Sequence, residues 1–382
     1  MSVTTNMSAD LRERADQVAE LAGRYAADLA VSDQLPAEIV RACLDAGLYR
    51  LCLPGELGGA RVPLPDSVEA IERLSYADGS VGWCAVVANV GASLLAGIDR
   101  RQAAVIAAVP ERLCIAGGFP ATGRGVRADG GYLLTGRWSF ASGARAATWL
   151  LGGMTVPPAG DGDGDGDGPA WLVGFFPAEQ ARIVPNWDVI GLRATGSHDV
   201  VADEVLVPAG RTTPLVGPRW SNDPIAAVPF FALGPLLGAV PLGIARRALD
   251  ELVKLAGTRV RFGQPRPLAA DPGFQDRFTS VLARLGAARS YLADRAAEVW
   301  RTAVAGEVTP MAQAGAALAV GEAAEAALDA VQFAHREAGT AAIRADGVLT
   351  RCLTDTMVAT RHVAFSQFFR RDAGRRHLGV PA

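Results

Sequence analysis

The apolar pattern of this chain changes period twice, and that double change limits it to a small set of folds. Leu11, Ala15, Val18, Ala22, Tyr25 and Leu29 recur at steps of three and four, the stripe of an amphipathic helix. A second helix is expected with Pro36 in its first turn and Gly47 as its stop. Runs 67–77, 80–97 and 100–109 keep the period, so residues 1–112 read as a helical domain. At Leu113 the pattern shortens to glycine-punctuated runs of strand length, 113–116, 132–140, 148–156, 171–176, 181–184 and 200–207. Short strands separated by turn signals predict a small barrel or sandwich over 113–225. From Val228 the helical period returns in four long stretches, 235–260, 272–306, 310–339 and 348–370, whose apolar, Ala-rich faces suit an antiparallel four-helix bundle over 226–382. The fold class is therefore α+β and multidomain, in the order helices, β domain, helical bundle.

Composition removes several function classes. The chain has 382 residues, half of them hydrophobic, enough for two or three domains with a large interior. A net charge of -3 and the lack of a basic run interleaved with aromatics argue against nucleic acid as a partner. Cys43, Cys52, Cys84, Cys114 and Cys352 are odd in number and never form a CxxC pair, as expected of reduced, buried thiols in a cytoplasmic protein. The first nine residues lack the charged start and apolar run of a signal peptide. Residues 225–245 are uncharged and apolar for about the length of a bilayer, but Pro229, Pro235 and Pro241 interrupt them and a charged helical continuation follows. They read as a linker feeding a buried helix, with no membrane partner. Residues 161–168 alternate Asp and Gly; Asp161, Asp163, Asp165 and Gly166 imitate a calcium loop, but its twelfth position is Leu172 instead of a bidentate Glu. A solvated hairpin insertion is expected there. His198, His335 and His377 have no metal-ligand spacing, so they are expected to be structural or on the surface, and no metal is expected.

The stretch Gly136-Arg-Trp-Ser-Phe-Ala-Ser-Gly143 combines an aromatic, two hydroxyls and a turn of small residues at the end of one strand. It reads either as a platform for a flat ligand or as a packed strand with a core Trp. This stretch resembles the segment of the acyl-CoA dehydrogenase superfamily that lies against a flavin ring. Further segments match that family in order: Leu35-Pro-Ala-Glu-Ile-Val with Ala46-Gly-Leu-Tyr, Pro54 and Gly58-Gly59; Trp187 through Val201; Arg261-Phe-Gly; and Ala338-Gly-Thr with Arg351 and Asp355. The resemblance spans roughly residues 10–375 and implies tetramers paired through the C-terminal bundle.

Dehydrogenases of this family use a glutamate base, either near the chain's end or before the first bundle helix. Here those places read Arg370-Arg-Asp-Ala-Gly-Arg-Arg-His-Leu-Gly, with no Glu, and Phe230 to Gly234, with no acid. The family's Thr-Glu-x-x-x-Gly-Ser-Asp signature is replaced by Gly117-Gly-Phe-Pro-Ala-Thr-Gly. These departures resemble the two-component flavin monooxygenase branch, which takes reduced flavin from a separate reductase and oxygenates a small molecule with O₂ through a C4a-hydroperoxide. By that resemblance Ser142 matches the serine near flavin N5, where a hydroxyl hydrogen bond would slow loss of peroxide, and His362 matches the histidine of the last long helix, whose neutral imidazole would deprotonate or orient a phenol or amine; the alternative for His362 is an ordinary helix-face histidine. Spacings of four, three and four put Arg351, Asp355, Val358 and His362 on one helical face. Members of the branch often carry a second histidine after a Gly-Trp segment; here Gly82-Trp83 is followed by Asn89, either a hydrogen-bond donor in the site or an ordinary helix residue. The resemblance further implies flavin contacts from Trp138, Ser139 and Ser142, and across subunits from Arg261, Phe262, Gln275 and Gly339, with FAD and FMN both open. The first expectation is thus a reduced-flavin-dependent monooxygenase on an aromatic, polyketide-like or amine substrate. Its rivals are a dehydrogenase or oxidase acting on an acyl thioester and a scaffold or cyclase that retains the fold.

Overall fold

A computed structural model of the chain describes residues 8–158 and 170–380. The Asp-Gly stretch 161–168 lies outside the described residues. Six helices come first: α1 (Ala9–Arg24), α2 (Ala26–Val31), α3 (Ala37–Asp45), α4 (Leu64–Ala77), α5 (Gly79–Ser93) and α6 (Arg100–Ile106). The apolar stripe of α1 buries Leu11, Ala15, Val18 and Ala22. Helix α5 is apolar all round and almost wholly buried. With its extension to Gly97 it is the one described helix long and apolar enough to cross a membrane, and 94% of that window lies inside the protein, as expected of a core helix. The uncharged stretch 225–245 is mostly interior, with Phe231 exposed: it forms α7 (Pro224–Ala227), a turn, and the first half of α8 (Gly234–Thr258).

The central strands are β1 (Ile115–Ala128), β2 (Gly131–Trp138), β3 (Trp149–Val156), β4 (Ala170–Pro177), β5 (Arg182–Val184), β6 (Asp199–Pro208) and β7 (Thr212–Thr213). They join in one seven-stranded sheet, order β5-β6-β2-β1-β3-β4-β7, which curls until Gly174 of β4 lies against Val207 of β6, in keeping with the expected barrel or sandwich. Only β1 and β3 pair in parallel; every other neighbour is antiparallel. Strand β1 continues well beyond the expected end at Ala116, because the register shift between Gly118 and Gly123 absorbs Pro120 within the strand.

Trp138 is the centre of this sheet's core. Its indole donates to the Gly153 carbonyl at 2.9 Å and is 1% exposed. A Cβ at Gly118, Gly123, Gly136 or Gly152 would meet it at 2.5–2.8 Å, so these four glycines make room for one ring. Gly152→Ala is therefore expected to cost about 1–3 kcal/mol by overpacking and to lower the melting temperature; an unchanged thermal transition would show that the sheet relaxes around the ring.

The C-terminal helices α8, α9 (Pro272–Val304) and α10 (Pro310–Ala338) match their expected spans closely. The last stretch does not: it divides into α11 (Val348–Ala359) and α12 (Gln367–His377) with a short turn between them. Buried Glu72 of α4 receives Arg289 of α9 on both oxygens at 2.8 Å and Arg246 of α8 at 3.0 Å, tying the N-terminal helices to the bundle. A Cβ on Gly243 of α8 would lie 2.4 Å from the Glu72 carbonyl, so these two helices cross in close contact.

Candidate active site

A cavity of about 480 Å³ lies where the three regions meet. Helix α5 contributes Trp83, Val86, Val87 and Val90; β1 contributes Gly117 to Pro120; the turn after β2 contributes Ser139, Phe140 and Ser142. The bundle side supplies Phe230, Phe231, Leu237, Val320 and Val358, and the α11–α12 link supplies Arg361, His362 and Val363. Arg361 and His362 are the only ionisable side chains among the described lining residues, and no carboxylate is present.

Ser142 is 5% exposed and sits in a turn shaped by two positive φ angles, Phe140 at 64° and Gly143 at 73°. Backbone bonds from Ala141 N–H to the His198 carbonyl and from Gly143 N–H to the Thr195 carbonyl hold the turn against the 192–198 loop. The Ser142 hydroxyl accepts the indole N–H of Trp83 at 3.0 Å and lies 2.7 Å from the Ser197 hydroxyl. Phe140 remains 72% exposed in a backbone conformation that costs of order 1–3 kcal/mol for a bulky residue. Its ring and Trp187 meet edge to face at 6.1 Å on the cavity's rim.

The structure moves His362 off the helix. Helix α11 ends at Ala359, so His362 does not share a helical face with Arg351, Asp355 and Val358; it caps the following turn, its Nδ1 accepting the Ala364 N–H at 3.2 Å. The side chain thereby satisfies a backbone donor that a continuing helix would have used. With Nδ1 occupied as an acceptor, the neutral ring carries its proton on Nε2 and offers the cavity a donor. His362 is accessible to solvent yet closely surrounded, as a residue in a cavity wall is, and this burial lowers its pKa from the ordinary histidine value. Trp83 packs edge-on against it at 5.5 Å, so one indole touches both His362 and, through its N–H, Ser142.

Other expected site residues lie elsewhere. Asn89 is fully buried outside the cavity lining, accepting the Cys52 N–H and donating to the Leu48 and Ala85 carbonyls. Its amide is spent on the backbone, which is the ordinary-helix-residue alternative with a packing role added. Trp138 is core, because strand alternation sends it to the inner face while Ser139 opens to the cavity. Arg261 pairs with Glu337 at 2.7 Å and Arg277 joins the same carboxylate at 3.2 Å. Burial alone would raise the pKa of Glu337, but these guanidiniums together hold it below the usual range. Phe262 is fully exposed, Gln275 donates to the Ala269 carbonyl, and Gly339 turns the chain at φ 54° after α10; none of the four lines this cavity. His198 accepts the Asn186 and Trp187 N–H groups on Nδ1, a structural role. All five cysteines are free and buried. Trp83, Thr195 and Ser197 carried no role in the sequence: each stood inside a matched segment, with no local signal of its long-range bonds.

Reduced flavin fits this lining. The hydroxyls of Ser139, Ser142, Thr195 and Ser197 sit on one wall, aromatic and aliphatic groups cover the others, and Phe140 is held open at the rim. A flat ring with polar edges needs that combination, and the described lining residues include no carboxylate to oppose it.

N-terminal helices, a β-sheet domain and a helical domain around such a cavity define an acyl-CoA dehydrogenase-like flavoprotein. The models for the acyl-CoA dehydrogenase N-terminal and C-terminal domains match residues 5–102 and 236–367. The chain is 32% identical over 347 residues to the indole-3-acetate monooxygenase of Pseudomonas putida, covering 90% of this chain and 87% of that one. It is 32% identical over 259 residues to the FADH(2)-dependent resorcinol hydroxylase, oxygenase component, of Rhizobium sp., covering 64% and 61%. The solved 3-HSA hydroxylase from Rhodococcus sp. RHA1 superposes with a TM-score of 0.90 at 25% identity over 98% of both chains. The chain belongs to the acyl-CoA dehydrogenase superfamily and, within it, to the flavin-dependent monooxygenases, as an oxygenase subunit of the two-component kind.

Proposed function

We propose that this chain oxygenates a flat aromatic substrate that carries an anionic group, using reduced FAD supplied by a separate reductase, and that it works as a homotetramer. The observation that carries this reading is the composition of the cavity wall: hydroxyls, aromatics, one histidine and one arginine, with no carboxylate among the described residues. Removing an acyl α-proton requires such a base, so the wall disfavours the acyl-thioester reaction. When bound, reduced flavin supplies the electrons that split dioxygen between substrate and water. The chain's own residues hold the reactants: Ser142 meets the ring's edge, His362 Nε2–H donates to an oxygen or ring atom of the substrate, and the Phe and Val side chains exclude water. The names of the relatives, an indole acid and a resorcinol oxygenase among them, support an aromatic substrate.

Arg361 supplies the anion preference. Its guanidinium has no side-chain partner among the described residues and lines the cavity beside His362. A charge-assisted hydrogen bond is worth about 1.5–3 kcal/mol, so Arg361→Leu is expected to raise KM for an aromatic acid about 10- to 100-fold and to leave a neutral aromatic of the same size nearly unaffected. Equal losses on both would remove Arg361 from recognition.

The activity itself is tested with a flavin reductase, NADH, ¹⁸O₂ and a panel including indole-3-acetate and resorcinol. Incorporation of one ¹⁸O into product is expected. Anaerobic reduction of bound flavin by an acyl thioester, with no labelled product from the panel, would overturn the reading in favour of dehydrogenation.

A further inference from the structure

We propose that Asp355 is a positioning residue for Ser142, acting from the bundle through Leu192, Thr195 and Ser197 to orient the Ser142 hydroxyl so that it offers the cavity a lone pair and not a proton. Each link is short and its direction is forced. Asp355 Oδ1 accepts the Leu192 N–H at 2.6 Å. Leu192 sits at φ 50°, a conformation that a leucine adopts only when held, and Asp355 is what holds it. A Cβ on Gly191 would meet the Thr354 carbonyl at 2.3 Å, so the loop can lie this close to α11 only with glycine there.

The Leu192 carbonyl lies 2.7 Å from Thr195 Oγ1. A carbonyl has no proton, so the hydrogen between them is the threonine's. Having given its one proton away, Thr195 Oγ1 can only accept from Ser197, also at 2.7 Å. Ser197 is then committed as a donor to Thr195, and must accept at its 2.7 Å contact with Ser142. The Ser142 proton is spent on Ser197, and one of its lone pairs takes the Trp83 N–H at 3.0 Å. One lone pair remains. The chain ends on a carbonyl, so it is an orienting device and no proton path to solvent. A lone pair in that place matches a ring N–H.

Asp355 lies among other charged groups in the interior. It is 5% exposed and shares its region with Asp78, the α5 cap that accepts from Ser80 N–H, and with Arg351, whose guanidinium lies 3.9 Å from Asp78 and also donates to the Ala26 carbonyl. Burial first, and Asp78 second, push the pKa of Asp355 up. Asn at this position would keep both shape and acceptor.

The hydrogen-bond chain exists without any ligand; only its consequence for the ring rests on the reading above. The experiment therefore begins with ¹⁵N-labelled apoprotein and the Trp83 indole N–H resonance, assigned by its loss in Trp83→Phe. Asp355→Ala is expected to shift that resonance, as Ser142→Ala does, and Asp355→Asn to leave it in place. In turnover, Asp355→Ala should raise the ratio of hydrogen peroxide to product several-fold, with Asp355→Asn restoring it. An unmoved Trp83 resonance in folded Asp355→Ala would overturn the proposal. Should that variant not fold, Thr195→Val decides, since it breaks the middle of the chain. A shifted resonance with an unchanged peroxide ratio keeps the chain of bonds and overturns its role at the ring. Failure of the wild type to incorporate ¹⁸O, with the shift present, sinks the oxygenase reading alone.

Discussion

His362→Ala lowers kcat/KM for oxygenation about 100-fold, the cost of one donor aimed into a water-poor site, while His362→Gln, which keeps an N–H donor, restores part of it. The tautomer carries this expectation: the Ala364 N–H occupies Nδ1, leaving the proton on Nε2. The pH profile has a stated direction. Burial lowers the pKa of His362, so the neutral ring predominates at and above its ordinary value of 6.5 and is lost only at lower pH. Protonation places a second N–H opposite the Ala364 N–H and breaks the cap. The kcat/KM profile should be flat above the ordinary histidine value and fall on acidification, and this acid limb should vanish in His362→Gln. A limb that persists in the glutamine variant would assign the titration to another group and His362 to packing.

Ser142→Ala has the second large effect. It removes the acceptor of the Trp83 N–H and the donor to Ser197, both buried, at about 1–3 kcal/mol for each group left unpaired. Turnover should shift from product towards hydrogen peroxide by about tenfold or more, with affinity for reduced flavin changed much less, since the other hydroxyls and the aromatic walls remain. The check is simultaneous measurement of peroxide, product and flavin binding. An unchanged product-to-peroxide ratio would show that Ser142 serves the protein's own hydrogen bonding and not the reaction.

The two variants together separate the site's halves. Trp83 touches both residues, so losing either one disturbs the other's surroundings, and their effects should combine non-additively.

Much of this molecule was legible from local pattern. The order of helices, strands and helices follows from apolar period, which each segment carries in its own residues. Ser142 and His362 were singled out by their matched segments, and the structure puts both in the lining of one cavity. The lack of a glutamate before α8 and near the chain's end was also visible, and it agrees with a cavity whose described lining residues include no carboxylate. The tertiary structure alone decided what these residues face. Trp138 turned inward because glycines from β1 and β3, with Gly136 of its own strand, make room for it, and Asn89 was spent on backbone groups of the 48–52 segment. His362 left the helix by capping its own turn, which commits Nδ1 to a backbone N–H. The direction of the Ser142 hydroxyl is set by bonds spanning 59 positions to Trp83 and, at the far end of the chain, 163 positions between Leu192 and Asp355. Periodicity and spacing report a residue's neighbours along the chain; hydrogen-bond direction depends on partners that only folding brings together.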